Sequence, residues 1–356
     1  MRAGRWIAVL GLVVVLAGGS PASAEPLTYE MVTVGNAGNA NDTTGYGGVA
    51  YEYRIGKYDV TIGQYTEFLN FVDPHGTNPF FIYDSRMGTD LNIAGISFTS
   101  GAAYGTKYAV MGGSGNRPIT YVSWFSAARF ANWMHWMLTG QGAWSTEYGV
   151  YNVEGQTGGT APAKNAGATY WIPTENEWYK AAYHHPQASG GPSDSYWAYA
   201  TQSDTAPANT IGSAANQANY FTGDGFSFTQ SSTYSSTQNY LTDVGAFAGN
   251  ASFYGTFDQN GLVYQWNDLD GSPGSSRGLR GGDWSSLNAT FLSSANREMT
   301  DLWFEGSDVG FRLAGPASLI TGPPGVPEID RNTLGSVLAL VTGALGLIER
   351  RRLKVA

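Results

Sequence analysis

Apolar side chains recur at two spacings along this chain, and each spacing predicts a kind of element. Ile62, Tyr65, Leu69 and Val72 fall three or four positions apart, the stripe of an amphipathic helix. Thr61, with Gln64 three residues on, forms a capping box at its start. Trp124, Ala127, Ala131, Met134 and Leu138 repeat the pattern behind Ser123, a second N-cap residue. A third helix opens at Thr174, where Glu177 completes another capping box, and runs to about Tyr183. Short β-like pieces occur around residues 51–58 and 262–266, separated by Gly, Ser and Asn loops. Residues 187–238 are rich in Ser, Thr, Gly and Asn and read as a long surface excursion. Early helices and late irregular strands, with no internal repeat, predict an α+β fold in a single domain.

Two apolar runs stand outside this pattern. Residues 6–16 follow Arg2 and Arg5 and precede Ala22-Ser23-Ala24, the layout of a secretory signal peptide cleaved after Ala24. The alternative is an uncleaved anchor, but eleven apolar residues are too few for a hydrocarbon core of about 30 Å. A Gly/Pro linker, residues 315–325, leads to Val326-Pro327-Glu328-Ile329-Asp330 and then to the uncharged run 333–348. That run would span about 24 Å at ~1.5 Å per residue, enough to cross a membrane with some thinning. Arg350, Arg351, Arg352 and Lys354 behind it should stay cytoplasmic, placing the body outside the membrane. A buried core helix is the other reading of the run, and the terminal arginine cluster opposes it.

Composition changes this picture in three ways. The 356 residues include 48 Gly, yet 14% are aromatic, which argues for a loop-built domain with an aromatic core rather than disorder. There is no cysteine, which excludes disulfides, thiolate metal sites, Fe–S clusters and a thiol nucleophile. Without the two ends, 12 basic side chains face 25 acidic ones. So acidic a body would repel phosphate backbones, and nucleic acid is not an expected partner. Of the four histidines, His184 and His185 precede Pro186 at the end of the third helix and read as an exposed cap.

Six local motifs, in order, resemble one known family. They are Val60-Thr61-Ile62-Gly63-Gln64-Tyr65 through Asn70, and Arg117-Pro118 through Trp124 with Ala127 to Trp133. They continue with Trp171-Ile172-Pro173-Thr174-Glu175-Asn176-Glu177-Trp178, Tyr254 through Trp266, Arg280-Gly281-Gly282-Asp283-Trp284, and Gly310-Phe311-Arg312. Over residues 25–314 the chain resembles the formylglycine-generating enzyme (sulfatase-modifying factor) domain. The resemblance implies a C-type-lectin-like α+β domain with much irregular structure. Residues 326–356 are similar to a PEP-CTERM sorting tail of the VPEID variety, with residues 333–348 as its transmembrane segment. That likeness implies recognition by an exosortase-like membrane protease and transient anchoring in the inner membrane. The destination would be the cell surface, outer membrane or extracellular matrix of a Gram-negative bacterium.

The family's enzymes oxidise a substrate cysteine with oxygen, holding copper(I) between two cysteines in the segment after the Arg-Gly-Gly motif. Here Ser286 falls near the first of these positions, and a hydroxyl is too hard and too weakly acidic to replace a thiolate. No copper and no catalytic residue are therefore expected. The resemblance also offers a calcium site, with Asn219, Tyr220, Asp224 and Phe226 as ligands through side-chain and carbonyl oxygens. An ordinary Asn/Asp/Gly turn is the alternative. A second family calcium site would need Asn and Glu where Leu262 and Gln265 stand. Trp266-Asn267-Asp268 looks like a lectin motif without its partner, and Arg280 and Arg312 read as buried hubs joining loops. The expected function is an exported binding or matrix module for a glycan or surface protein. Its contact groove would hold Trp284, Ser286, Asn288 and Arg297, rimmed by residues 187–238. An enzyme with non-thiol chemistry and a purely structural surface component are the alternatives.

Overall fold

The computed structural model describes residues 27–140 and 144–318; the leader, residues 1–24, and the sorting tail, residues 326–356, lie outside the described residues. The chain begins with β1 (Met31–Val34) and β2 (Tyr53–Gly56), followed by α1 (Ile62–Val72) and a single turn, α2 (Arg86–Thr89). A hairpin of β3 (Ile96–Phe98) and β4 (Tyr108–Val110) precedes α3 (Trp124–Thr139) and α4 (Glu175–Tyr183). The last third holds β5 (Tyr264–Asn267), β6 (Ser276–Arg280), β7 (Glu298–Asp301), β8 (Val309–Gly310) and β9 (Ala314–Pro316). Three small sheets result, ordered β1-β2-β9, β3-β4 and β7-β6-β5-β8, all antiparallel except the β5–β8 pair. Among the described residues no helix is long and apolar enough to cross a membrane.

Both capping boxes form. Gln64 N donates to Thr61 Oγ1 (3.2 Å) while Thr61 N donates to Gln64 Oε1 (2.9 Å). Thr174 and Glu177 repeat the exchange at α4, at 3.2 and 2.7 Å. Glu177 also accepts from Trp171 Nε1 and Tyr51 hydroxyl, so this cap ties three segments together.

The second helix departs from its sequence reading. One apolar stripe predicts an amphipathic rod, but α3 is buried on all sides from Trp124 to Met134. Phe130 packs on Phe68, Trp133 and Phe311, with ring centroids 5.3–5.5 Å apart. The polar positions are buried because the loop after the helix supplies their partners. Arg129 pairs with Glu147 at 2.7 Å, and Asn132 donates to the Thr146 and Tyr151 carbonyls while accepting from Val150 N and Tyr151 N. Residues 187–238 are likewise no mere surface excursion. Tyr196, Tyr199, Ala218 and Tyr220 are buried in two satellite clusters against Trp178 and Leu292. His184 is buried rather than an exposed cap: its Nδ1 meets the Tyr254 hydroxyl at 2.7 Å and its ring packs on Tyr196.

With so few ladders, buried arginines connect the loops. Arg312 donates to Gln265 Oε1, to the Gly56 and Phe257 carbonyls and to Asp59, between 2.7 and 3.1 Å. Arg280 reaches Glu175 and the Ser294 and Asn296 carbonyls. Arg277 pairs with Asp268, which also accepts from the Tyr151 hydroxyl. Removing one member of such a pair strands the other charge in the interior, at a cost of about 3–5 kcal/mol. Arg312→Met should therefore lower unfolding stability by that amount in urea titrations. Arg312→Lys should lose most of it too, because one ammonium cannot reach acceptors spread around a planar fork.

Candidate functional site

The segment joining β6 to β7 holds three of the four expected groove residues, and Arg297 at its end. Gly281 and Gly282 (φ 104° and 72°) turn the chain sharply inward, a conformation that side chains disfavour. The turn delivers Asp283 and Trp284 to the interior. Asp283 then closes the next three residues on itself. Its carboxylate accepts from Ser285 N and Oγ, both at 2.6 Å, and from Ser286 Oγ at 2.8 Å. Asp283 N donates back to Ser286 Oγ at 3.0 Å. Ser286 Oγ thus spends both its donor and an acceptor pair on the turn.

The four residues do not share one surface. Trp284 is 6% exposed and stacks on Tyr240 at 4.9 Å and 1°, with Phe226 beyond, so it is a core plate and not a groove wall. Ser286 is buried behind Asp283. Asn288 is exposed and caps the turn Ala289–Leu292 by accepting from Thr290 N. Arg297 turns toward α4, where its Nε contacts both Glu175 oxygens at 2.7 and 3.0 Å. It lines a recess of about 270 Å³ with Tyr46, Asn176 and Asp270.

A serine acts as a nucleophile only with a base in hydrogen-bond reach. The histidines bond to other groups: His135 Nδ1 to Thr169 Oγ1 (2.8 Å), His184 Nδ1 to the Tyr254 hydroxyl, and His185 Nδ1 to Trp197 Nε1 (3.2 Å). What surrounds the Ser286 turn is acidic, and sequence reading did not group it. Tyr264 on β5 donates to Glu298 on β7 at 2.9 Å. Asp308, just before β8, is pushed up to about 6 by burial, with Asp283 and Glu298 adding to the rise. No spacing in the chain links positions 264, 283, 298 and 308; only the sheet brings them together.

Among the expected calcium ligands, the Tyr220 and Phe226 carbonyls already accept hydrogen bonds, and the Asn219 side chain is anchored through its amide nitrogen. Asn219 Nδ2 donates to the Tyr240 carbonyl and Thr242 Oγ1, and the Asn219 carbonyl accepts from Leu262 N. The Tyr220 carbonyl accepts from both Asn209 Nδ2 (3.1 Å) and Ser227 Oγ (3.2 Å), and the Phe226 carbonyl from Gln230 N. Asp224 sits exposed at the tip of the turn. Two of these oxygens help to hold the loop, and no step is derived through calcium. Gln265 is buried, accepting from Trp178 Nε1 and Arg312 through one oxygen. Trp266, Asn267 and Asp268 are buried as well, with Trp266 Nε1 on the Val122 carbonyl, and present nothing to a sugar.

A broad recess of about 770 Å³ lies away from these residues, between Thr28–Glu30, Tyr58–Glu67 and the turn at Asp243. A second, of about 490 Å³, is walled by Phe81, Tyr83, Phe98 and Tyr108.

Residues 13–317 match the model of a family described as the sulfatase-modifying factor enzyme 1-like domain. No curated protein matches the chain. Among solved structures it is similar to CarF, with 21% identity over 82% of this chain and 99% of that one and a TM-score of 0.49. It is also similar to variable protein 1 of Treponema denticola, with 20% identity over 81% and 95% and a TM-score of 0.47. PvdO of Pseudomonas aeruginosa is a third, with 17% identity over 82% and 92% and a TM-score of 0.41.

The raised Asp308 has a consequence for pH. Its folded value lies above its unfolded one, so its contribution is fully present below about 4 and is lost as pH rises through about 6. Asp308→Asn should therefore raise stability by roughly 1–2 kcal/mol at pH 7.5 and leave it unchanged at pH 4. Paired thermal melts at the two pH values check this.

Proposed function

The chain belongs to the sulfatase-modifying factor enzyme 1-like family, and from that premise we propose that it is an exported member that binds and does not oxidise. One observation carries the reading. The family's oxidation needs two thiolates for copper(I), and the chain contains no cysteine anywhere. The residue near the first of those positions, Ser286, is committed to the Asp283 turn. Copper therefore does not fit the residues present. The family's frame is kept, with Arg280 and Arg312 as its hubs, and its reactive pair is missing.

The two chain ends support the place of action. A cleavable leader carries the body across the inner membrane, and residues 333–348 hold it there until an exosortase-like protease acts at Val326-Pro327-Glu328-Ile329-Asp330. The product is a domain at the cell surface, in the outer membrane or in the extracellular matrix of a Gram-negative bacterium. Its partners there are a glycan or a surface protein, and the acidic body disfavours nucleic acid.

Two experiments test this. A cysteine-containing substrate peptide incubated with the protein, copper(I) and oxygen should come back unchanged by mass spectrometry; conversion of the cysteine to formylglycine would overturn the proposal. Deleting residues 326–356 should release the domain from the envelope into the medium in cell fractionation. Unchanged surface retention would remove the sorting claim.

A further inference from the structure

The recess walled by Phe81, Tyr83, Phe98 and Tyr108 combines three features. First, it is rigidly built. Asp73 accepts from Thr77 N (2.8 Å), Asn78 N (2.7 Å) and the Tyr108 hydroxyl (2.6 Å). Asn78 closes the loop on Tyr83 through a reciprocal pair of bonds, at 2.7 and 2.9 Å. Second, the loop holds strain. Asn78, Phe80 and Phe81 are all left-handed, with φ of 51°, 60° and 56°. Such residues cost of order 1–3 kcal/mol each and gather at sites where the geometry serves a ligand. Phe80 turns inward beneath Arg129, 4.4 Å from its guanidinium, while Phe81 is held outward and is 69% exposed. Third, the aromatic wall faces a carboxyl pair, Asp84 and Glu305.

We propose that this recess binds a neutral saccharide, one sugar ring stacking on Phe81 and Phe98 while its hydroxyls pair with Asp84 and Glu305. The proposal names the ligand class for the binding role above and rests on that reading. A pyranose presents an apolar C–H face to an aromatic plane and hydroxyls, each donor and acceptor, around its edge. The wall supplies the plane: Tyr83, Phe98 and Tyr108 pack with centroids 5.1–6.0 Å apart and leave Phe98 and Phe81 open. The volume, about 490 Å³, suits a small ligand.

Charge decides between a sugar and a cation. Arg86 already lies 2.6 Å from Asp84 and 3.9 Å from Glu305, with its guanidinium over Tyr121, whose hydroxyl bonds Asp90. Burial and the neighbouring Asp84 push Glu305 up to about 8, against the opposing pull of Arg86. At neutral pH Glu305 therefore holds a proton, shared with Asp84, and the recess offers a carboxyl and a carboxylate with little net charge. A polyol matches that set; a second cation would have to displace Arg86 or the proton.

The test is titration by calorimetry with hexasaccharides of α-1,4-glucose, β-1,4-glucose, β-1,4-N-acetylglucosamine and α-mannose. Tetramethylammonium serves as the cationic comparison. At least one saccharide should bind, and Phe81→Ala, a change at an exposed ring, should weaken it by about tenfold or more with an unaltered circular dichroism spectrum. Affinity should fall as pH rises past 8, when Glu305 loses its proton, and Glu305→Gln should keep binding and flatten the profile. Failure of all four saccharides, binding that ignores Phe81→Ala, or tetramethylammonium binding that Phe81→Ala abolishes would each overturn the proposal. Surface retention is measured separately, so the sugar site can fail while the export reading stands.

Discussion

Four guanidinium groups, those of Arg129, Arg277, Arg280 and Arg312, are at most 1% exposed. Each is surrounded by carbonyls and a carboxylate, drawn for Arg280 and Arg312 from segments far apart in the chain. Buried backbone oxygens must find donors, and where ladders are short those donors come from side chains. A planar fork with five N–H groups meets several carbonyls at once without a regular element between them. Arg312 alone joins the end of β2, the loop before β5 and the strand β5 itself. The fold tolerates so much irregular backbone because these hubs satisfy it.

Local chemistry was the legible part of the sequence. Both capping boxes and the N-cap at Ser123 form where their residues stand, because each is completed within four positions. Burial was less legible. A single apolar stripe described α3 poorly, since the partners of Arg129 and Asn132 sit in a loop fourteen or more residues downstream. Residues 187–238 look soluble by composition, yet their tyrosines are what the satellite clusters are made of, each hydroxyl or ring finding a distant partner. His184 is buried for the same reason, its ring nitrogen satisfied by Tyr254 seventy residues on. The aromatic recess has no local signal because the 76–85 loop, the β3–β4 hairpin and Glu305 meet only in three dimensions.

The turn after β6 and the amide of Gln265 both show how interior polar groups are satisfied nearby. The glycine pair aims the chain inward and the tryptophan stacks on Tyr240. With serine at position 286, the turn is a closed hydrogen-bond circuit around Asp283. Gln265 tells a parallel story: a neutral amide in a dry site can serve Trp178 and Arg312 as acceptor while donating to the Asp258 carbonyl, which a carboxylate could not do.

The arrangement of β1, β2 and β9 has a mechanical meaning. β2 is the central strand, with β1 paired so that Met31 faces Gly56 and β9 so that Pro316 faces Tyr53. The chain therefore comes in beside one end of β2 and departs beside the other. Tension between the two ends would drag β1 and β9 in opposite directions along the strand axis. Because antiparallel ladder bonds lie across that axis, they would share the load together instead of opening one at a time. A sheet loaded from both ends in this way resists shear far better than peeling.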